Sequence, residues 1–117
     1  MKRSVVVLLT RAPGGRIHVP EGLRAARGVA AGFDRHDVTV VFTQDAVYAA
    51  RDAVDREALN MIGHVADLEA AEGRMVADGA AMAERGIEAV EIAPDVDVLE
   101  GSAVGELIRG ADHTLDF

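Results

Sequence analysis

The sequence has 117 residues, half of them hydrophobic, and a formal net charge of −8 at pH 7. This length predicts one domain, residues 1–117, with its own hydrophobic core. The absence of cysteine excludes disulfides, thiolate metal sites, a cysteine nucleophile and covalent carriage of sulfur by this chain. Lys2 is the only lysine, and the 12 Lys and Arg residues together are outnumbered by 20 Asp and Glu residues spread along the chain, so the basic footprint that nucleic-acid binding requires is missing.

Apolar runs such as Val5 to Leu9 are far too short to cross a bilayer, and no signal-peptide pattern opens the chain. We therefore expect a cytoplasmic protein that does not enter a membrane. Acidic residues are spread along the whole chain. This composition is either ordinary or an adaptation to a salty cytoplasm, in which salt screens the self-repulsion of a halophilic surface.

The first predicted strand, Ser4 to Leu9, has apolar residues on both faces, as a strand covered by helices on both sides requires. A loop predicted from Thr10 to Gly22 follows its carboxyl end. In this loop the pair Gly14-Gly15 can cradle a phosphate, but the GxGxxG and GxxxxGK(S/T) spacings are missing, which disfavours nucleotide binding. The apolar Ile17 and Val19 either face a partner subunit or fold back onto the first helix, with Val19 as a hydrophobic staple.

A helix is predicted to begin at Pro20, because the residues that follow place apolar side chains at helical spacing. Its apolar positions are Leu23, Ala26, Ala30 and Phe33. Val38 to Phe42 form the second buried strand and complete a βαβ unit. Asp45 lies just beyond that strand. Its carboxylate either faces a ligand or, as the preference of aspartate for such positions favours, caps helical turns predicted from Ala46 to Ala53.

The next helix is predicted from Glu57 to Ala71, with Gly63 as a break and Gly73 as a stop. His64 and Asp67 lie one helical turn apart and can bind a metal weakly, but no third ligand has a recognisable spacing. A solvated pair is therefore favoured, and we expect no metal site.

The segment RMVADGAAMAERGI, Arg74 to Ile87, predicts a strand, a tight turn and a short helix. Residues 74–77 form the strand, Asp78 is the helix N-cap, and Gly86 provides the left-handed residue that ends the helix. Asp78 therefore lies at the carboxyl end of a strand, where ligands usually bind in open α/β sheets.

Ile87 to Ile92 are predicted to form a fourth strand of alternating polarity near the sheet edge. The connection from the third strand is short, so antiparallel pairing is left open. After a polar loop, Ser102 is expected to cap the last helix and Gly110 to stop it. His113 to Phe117 are predicted to form the fifth strand.

Four segments together resemble the DsrE/DsrF/TusC-like sulfur-relay family: APGGRIHVPEGL, VVFTQDAVYAA, ADGAAMAERGI and the terminal ADHTLDF. The resemblance covers nearly the whole chain. It implies a three-layer α/β/α domain with a mainly parallel five-stranded sheet, assembled as a homo-oligomer or as a hetero-oligomer with related subunits. Several members of that family carry sulfur as a persulfide on a cysteine in the segment that corresponds to ADGAAMAERGI.

Counted back from Arg85 and Gly86, that cysteine falls at Asp78, give or take one residue, and neither Ala77 nor Gly79 supplies a thiol. The chain therefore resembles family members without the active cysteine, which act as partner subunits or have unassigned roles. For Asp78 itself, a helix cap is favoured. The alternative is a carboxylate that contacts a ligand or exchanges protons.

Two classes of function follow. The favoured one is a non-catalytic structural or interaction subunit related to sulfur-relay assemblies. The other is a small enzyme or small-ligand-binding protein that uses the carboxyl edge of the strands. The spacing shows no catalytic triad, carboxylate dyad or metal constellation, so we assign no catalytic residue and expect no cofactor. The candidate ligand-binding residues are Gly14, Gly15, His18, Asp45, Asp78 and Gly79.

Overall fold

A computed structural model describes residues 2–14, 17–32 and 35–117 of the protein. Five strands form one sheet in the order β4-β3-β2-β1-β5, and every neighbouring pair is parallel. The strands are β1 (Ser4–Leu9), β2 (Asp37–Phe42), β3 (Arg74–Asp78), β4 (Asp97–Leu99) and β5 (His113–Asp116).

Helices cover both faces of this sheet. They are α1 (His18–Ala30), α2 (Ile62–Ala70), α3 (Gly79–Glu84) and α4 (Gly101–Gly110), with two 3-10 helices at Gln44–Ala50 and Ala89–Glu91. The larger core joins one face to α1, α2 and the first 3-10 helix. A smaller cluster joins the other face to α4. The predicted three-layer α/β/α fold with a parallel five-stranded sheet is therefore confirmed.

The central strands are buried on both faces, as their composition predicts. In β1, Val5, Val7 and Leu9 belong to the larger core, whereas Val6 points to the opposite face. There Val6 meets Val41 of β2 and a residue of α4 in a cluster of only four buried residues. A strand that must fill two cores has no position for an exposed polar side chain, which explains its continuous apolar run.

The fourth strand was predicted in the wrong place. Ile87 to Ile92 form no strand: Ile87 and Ile92 are buried separately, while Val90 between them is 84% exposed. Glu88 and Glu91 bond each other's backbone N–H groups as a capping box, which stabilises a 3-10 turn. The fourth strand, β4, lies instead in the segment predicted as a polar loop, and it pairs parallel to β3.

The first two helices differ from prediction at their ends. The loop after β1 is shorter than Thr10 to Gly22, because α1 already begins at His18. Val19 is buried in the core while Ile17 is 71% exposed, so only Val19 folds back onto the domain. Phe33, predicted on the first helix, lies outside the described residues. The second helix begins at Ile62 rather than Glu57.

Among the glycines and the serine predicted to begin, break or end helices, Gly86 and Gly110 act as predicted and Gly63, Gly73 and Ser102 do not. Gly86 adopts the left-handed conformation (φ 67°) and Gly110 is the last residue of α4. Gly63 does not break α2, and the left-handed residue after that helix is Glu72 (φ 63°) rather than Gly73. Ser102 does not cap α4, whose N-cap is Glu100 without a side-chain bond.

Candidate functional site at the carboxyl edge

Because all five strands are parallel, their carboxyl ends lie along one edge of the sheet, here called the carboxyl edge. Thr10 follows β1 at this edge, Thr43 follows β2, and Asp78 ends β3. Open α/β sheets usually bind ligands here. The predicted site residues therefore belong to one region of the fold, and their contacts show what each of them does.

Both carboxylate oxygens of Asp78 are engaged within the protein. Oδ1 accepts the backbone N–H of Ala80 at 3.0 Å, which makes Asp78 the N-cap of α3 as predicted. Oδ2 accepts the hydroxyl of Thr43 at 2.7 Å. This second bond joins the ends of β2 and β3, and the sequence pattern contained no sign of it. Asp78 thus acts as a cap and as a cross-link between neighbouring strands.

Backbone packs closely around this carboxylate. A Cβ atom added to Gly79 would lie 2.8 Å from the carbonyl oxygen of Leu99 in β4. A Cβ atom on Gly101 would lie 2.9 Å from Cβ of Ala80 and 3.8 Å from Oδ1 of Asp78. These two glycines are required because they let the start of α4 and the end of β4 approach the Asp78 turn. The predicted site residue Gly79 therefore has a packing role.

Asp45 does not cap the helical turns that follow β2, so that prediction is wrong. The N-cap of the 3-10 helix is Thr43, without a side-chain cap bond. Asp45 instead accepts Nε of Arg85 at 3.0 Å, and Nη1 of Arg85 donates to the carbonyl of Ala81 at 3.0 Å. The aspartate is thereby tied to the C-terminal end of α3, where a cation is favourable. The sequence pattern does not indicate Arg85 as the partner of Asp45.

The backbone at Gln44 separates the two polar side chains that flank it. Gln44 has φ 47°, in the left-handed region that a non-glycine residue seldom adopts. Gln44 is the first residue of the 3-10 helix, and on either side of it Thr43 bonds Asp78 and Asp45 bonds Arg85. The two aspartates of the predicted site thus have separate partners.

The remaining predicted site residues follow β1. Gly14 is exposed, and Gly15 lies outside the described residues. His18 opens α1 with a buried Nδ1 that has no hydrogen-bond partner among the described residues. In that same part of the chain, no hydrogen bond or ion pair connects Gly14 or His18 with Asp45 or Asp78. The predicted residues therefore lie at the carboxyl edge, but their side chains do not form one connected site.

The model of the DsrE/DsrF-like family matches residues 3–117. The chain belongs to the DsrE/DsrF-like family. No curated protein matches it. Two solved structures of full coverage in both directions share its fold: the YchN protein from E. coli, with 22% identity and a TM-score of 0.81, and MTH1491 from Methanobacterium thermoautotrophicum, described as a protein of unknown function, with 18% identity and a TM-score of 0.73.

This DsrE/DsrF-like chain offers no cluster of three or more His, Asp or Glu side chains for a metal ion within the residues that the structure describes. His64 and Asp67, considered above as a weak metal pair, belong to α2, and Asp67 binds Nη1 of Arg27 at 2.7 Å. Over the same described ranges, no helix is long and apolar enough to span a membrane.

An open groove lies at the other end of the sheet of this DsrE/DsrF-like chain. A groove of about 650 Å³, the amino-edge groove, is bordered by the ends of α1 and α2. Its charged side chains include two ion pairs, Lys2 with Asp37 at 3.1 Å and Arg27 with Asp67 at 2.7 Å. The sequence does not predict this groove, because its wall comes from segments that are distant along the chain.

Proposed function

We propose that this protein is a non-catalytic member of the DsrE/DsrF-like family that serves as a structural or interaction subunit of an assembly related to sulfur relay, without carrying a persulfide of its own. One observation carries the proposal. The resemblance assigns the sulfur-carrying cysteine to position 78, give or take one residue, and Asp78 stands there with its two oxygens accepting hydrogen bonds from Thr43 and Ala80.

The chemistry of this residue supports a structural role. Sulfane sulfur is held on a thiolate, and no cysteine is present. A general base needs a lone pair directed at a substrate proton. The oxygens of Asp78 instead point to donors of the same chain, and Gly79 and Gly101 bring backbone against them. We therefore do not favour the alternative of a small enzyme or ligand-binding protein that uses the carboxyl edge.

Exposed apolar side chains support the interaction role. Ile17 is 71% exposed beside the carboxyl edge, Ile62 is 59% exposed at the start of α2, and Val90 is 84% exposed between two glutamates. A partner subunit would remove these side chains from water, although single exposed residues of this kind are also common on monomers. We propose a cytoplasmic homo-oligomer, or a hetero-oligomer with related subunits, in which the segment around Ile17 and the carboxyl edge lie at or beside an interface.

Native mass spectrometry tests this function. The protein is measured alone over a range of concentrations and salt, and then with a persulfide-loaded DsrE/DsrF-like protein that has the cysteine. We expect an oligomeric mass or a mixed complex, with all sulfur remaining on the cysteine-containing protein. A strictly monomeric mass at high salt and high concentration, without a mixed complex, would contradict the proposal.

Asp78→Cys serves as the matched variant. It should accept sulfur from a persulfide donor if position 78 corresponds to the family's cysteine, whereas Ala53→Cys, on an exposed turn, controls for unspecific thiol labelling. Equal sulfur uptake by both variants would contradict the correspondence between position 78 and the family's cysteine.

A further inference from the structure

The amino-edge groove has a charge balance unlike that of the whole protein. Among the described residues that border it, the charged side chains are Lys2, Arg27, Arg35, Asp37, Asp67 and Glu72. Three positive and three negative charges sum to zero, whereas the chain as a whole has a net charge of −8. Four of the six form the two ion pairs given above. One cation and one anion are left over, Arg35 and Glu72.

Arg35 and Glu72 have no side-chain partner in the part of the chain that the structure describes, and no ion pair joins them to each other. Both adopt left-handed backbone conformations, with φ 47° and φ 63°. Glycine is preferred at such positions, and other residues there are enriched at functional sites. Long charged side chains are therefore present at two groove positions where the backbone alone would favour glycine.

Arg27 adds an unused donor on the same groove. Its Nη1 bonds Asp67 at 2.7 Å, but its Nε is buried and has no hydrogen-bond partner among the described residues. Buried polar groups of native proteins nearly always have a partner. An oxygen of a bound carboxylate would provide the missing acceptor, and the guanidinium of Arg35 is suited to bind a carboxylate with two parallel bonds.

The opposite charge is favoured where the two helices end. α1 and α2 both finish at this groove, and the last carbonyl groups of a helix have no partner within it. They place partial negative charge there, which favours a cation. Glu72 directly follows the cap of α2 and adds a full negative charge. An ammonium group therefore matches this part of the groove as a carboxylate matches the arginines.

Between these charges the wall is made of small side chains. Gly28, Ala31, Ala70 and Ala71 line the groove, whose volume of about 650 Å³ lies in the range of small-molecule sites. We propose that the amino-edge groove binds a free α-amino acid with an apolar side chain. Its carboxylate binds Arg35 and Nε of Arg27, its ammonium group binds Glu72 and the helix ends, and its side chain contacts the alanine methyl groups.

Three ligands of the same shape test the assignment of each charge. Leucine has both groups, leucinamide lacks the carboxylate, and isocaproate lacks the ammonium group. They are titrated into the wild-type protein and followed by amide NMR. Leucine should shift the amides of Gly28, Ala31, Ala70 and Ala71 with a dissociation constant on the order of millimolar. Each analogue should bind about tenfold more weakly, which corresponds to about 1.4 kcal/mol.

Variants of the two unpaired residues connect each ligand group to its partner. Arg35→Gln should weaken leucine about tenfold and reduce the difference between leucine and leucinamide. Glu72→Gln should instead reduce the difference between leucine and isocaproate. Arg109→Gln and Glu106→Gln are the matched controls, since both residues are exposed on α4 at the opposite face of the sheet. These controls should leave all three affinities unchanged, and melting temperatures verify that every variant is folded.

Several outcomes would overturn the proposal. One is the absence of leucine-dependent shifts at the groove at millimolar concentration. Another is leucinamide or isocaproate binding as tightly as leucine, which would make the groove a site for cations or anions alone. A third is an equal effect of the groove variants and the α4 controls.

This inference goes beyond the proposed interaction role and does not depend on it. An oligomeric protein whose groove does not respond to leucine would overturn the amino-acid site and leave the interaction role standing. A strictly monomeric protein that binds leucine at the groove would do the reverse.

Discussion

Arg56 holds Asp95 in a two-bonded fork, with Nη1 to Oδ2 at 2.6 Å and Nη2 to Oδ1 at 2.7 Å. The pair joins the turn region before α2 to the segment that leads into β4. Both side chains are less than a third exposed. Hydrogen bonding to the Arg56 guanidinium holds the pKa of Asp95 below its usual range. Bidentate pairs of this kind combine charge with fixed geometry.

This lowered pKa predicts a pH dependence of stability. Because the folded-state pKa is depressed, the stabilisation is fully present above the unfolded-state value of about 3.9 and is lost as pH falls through the folded-state value. Asp95→Asn should therefore lower the free energy of unfolding by about 1 kcal/mol at pH 7 and by less at pH 3. Urea titrations at both pH values measure this difference.

Asp97→Asn provides the control, since the Asp97 pair with Arg74 is longer, at 3.4 Å, and mostly exposed. It should change stability little at either pH. If Asp95→Asn lowers the free energy of unfolding by the same amount at pH 7 and at pH 3, the charge of the Asp95 carboxylate is not what stabilises its contact with Arg56.

The bond between Thr43 and Asp78 predicts a measurable coupling. Asp78→Ala should cost about 1–2 kcal/mol, because it removes the N-cap of α3 and the acceptor for Thr43. Asp78→Asn should cost much less, since the amide oxygen still caps and the amide nitrogen can donate to the threonine hydroxyl. The losses are read from urea unfolding.

Thr43→Val completes a double-mutant cycle with Asp78→Ala. The cycle should show a coupling of about 0.5 kcal/mol or more, as residues in direct contact do. Additive losses would mean that the 2.7 Å bond does not stabilise the fold. A large loss in Asp78→Asn would instead indicate a specific need for negative charge at this position.

Gly79→Ala tests the close approach of backbone at the carboxyl edge. The new Cβ would meet the Leu99 carbonyl oxygen at 2.8 Å, and backbone of β4 cannot move aside cheaply. We expect a loss of about 1–3 kcal/mol, as overpacking causes. Gly63→Ala is the control, because a Cβ at this helical position meets nothing within 4 Å and alanine favours helix. The melting temperature, measured by thermal unfolding, should fall for Gly79→Ala and rise for Gly63→Ala.

The acidic surface predicts that salt stabilises the protein. No charged side chain is buried in the described ranges, and the net charge is −8. Added salt should screen the repulsion among these exposed carboxylates and raise the melting temperature. A series in potassium chloride from low to molar concentration measures the effect. Equal melting temperatures across the series would contradict the hypothesis that the acidic surface is an adaptation to salt.

Local signals predicted the centre of this fold well. The apolar runs of β1 and β2 are sufficient to predict these strands, because both of their faces are buried. The cap at Asp78 was also predictable, since Asp78 and Ala80 are two residues apart. β4 was not, because only three residues with one apolar pair form it, while the alternation in Ile87 to Ile92 reflects two separate anchors.

The errors at the candidate site have one cause in common. Asp45 meets Arg85 across 40 residues, and Thr43 meets Asp78 across 35. Such bonds depend on the order of strands in the sheet, which the hydrophobic pattern does not contain. The sequence predicts that these polar residues reach the same edge, but their choice of partner follows from the three-dimensional arrangement.

The unequal size of the two cores has a consequence for how the molecule opens. On one side α4 is held to the sheet by a cluster of four buried valines, Val6, Val41, Val76 and Val104, whereas the opposite layer contains most of the buried residues. Cooperative units with few buried contacts open at lower free energy than the global unfolding. The backbone amides of α4 should therefore exchange hydrogen with solvent earlier than those of β2, in an opening that leaves the larger core intact.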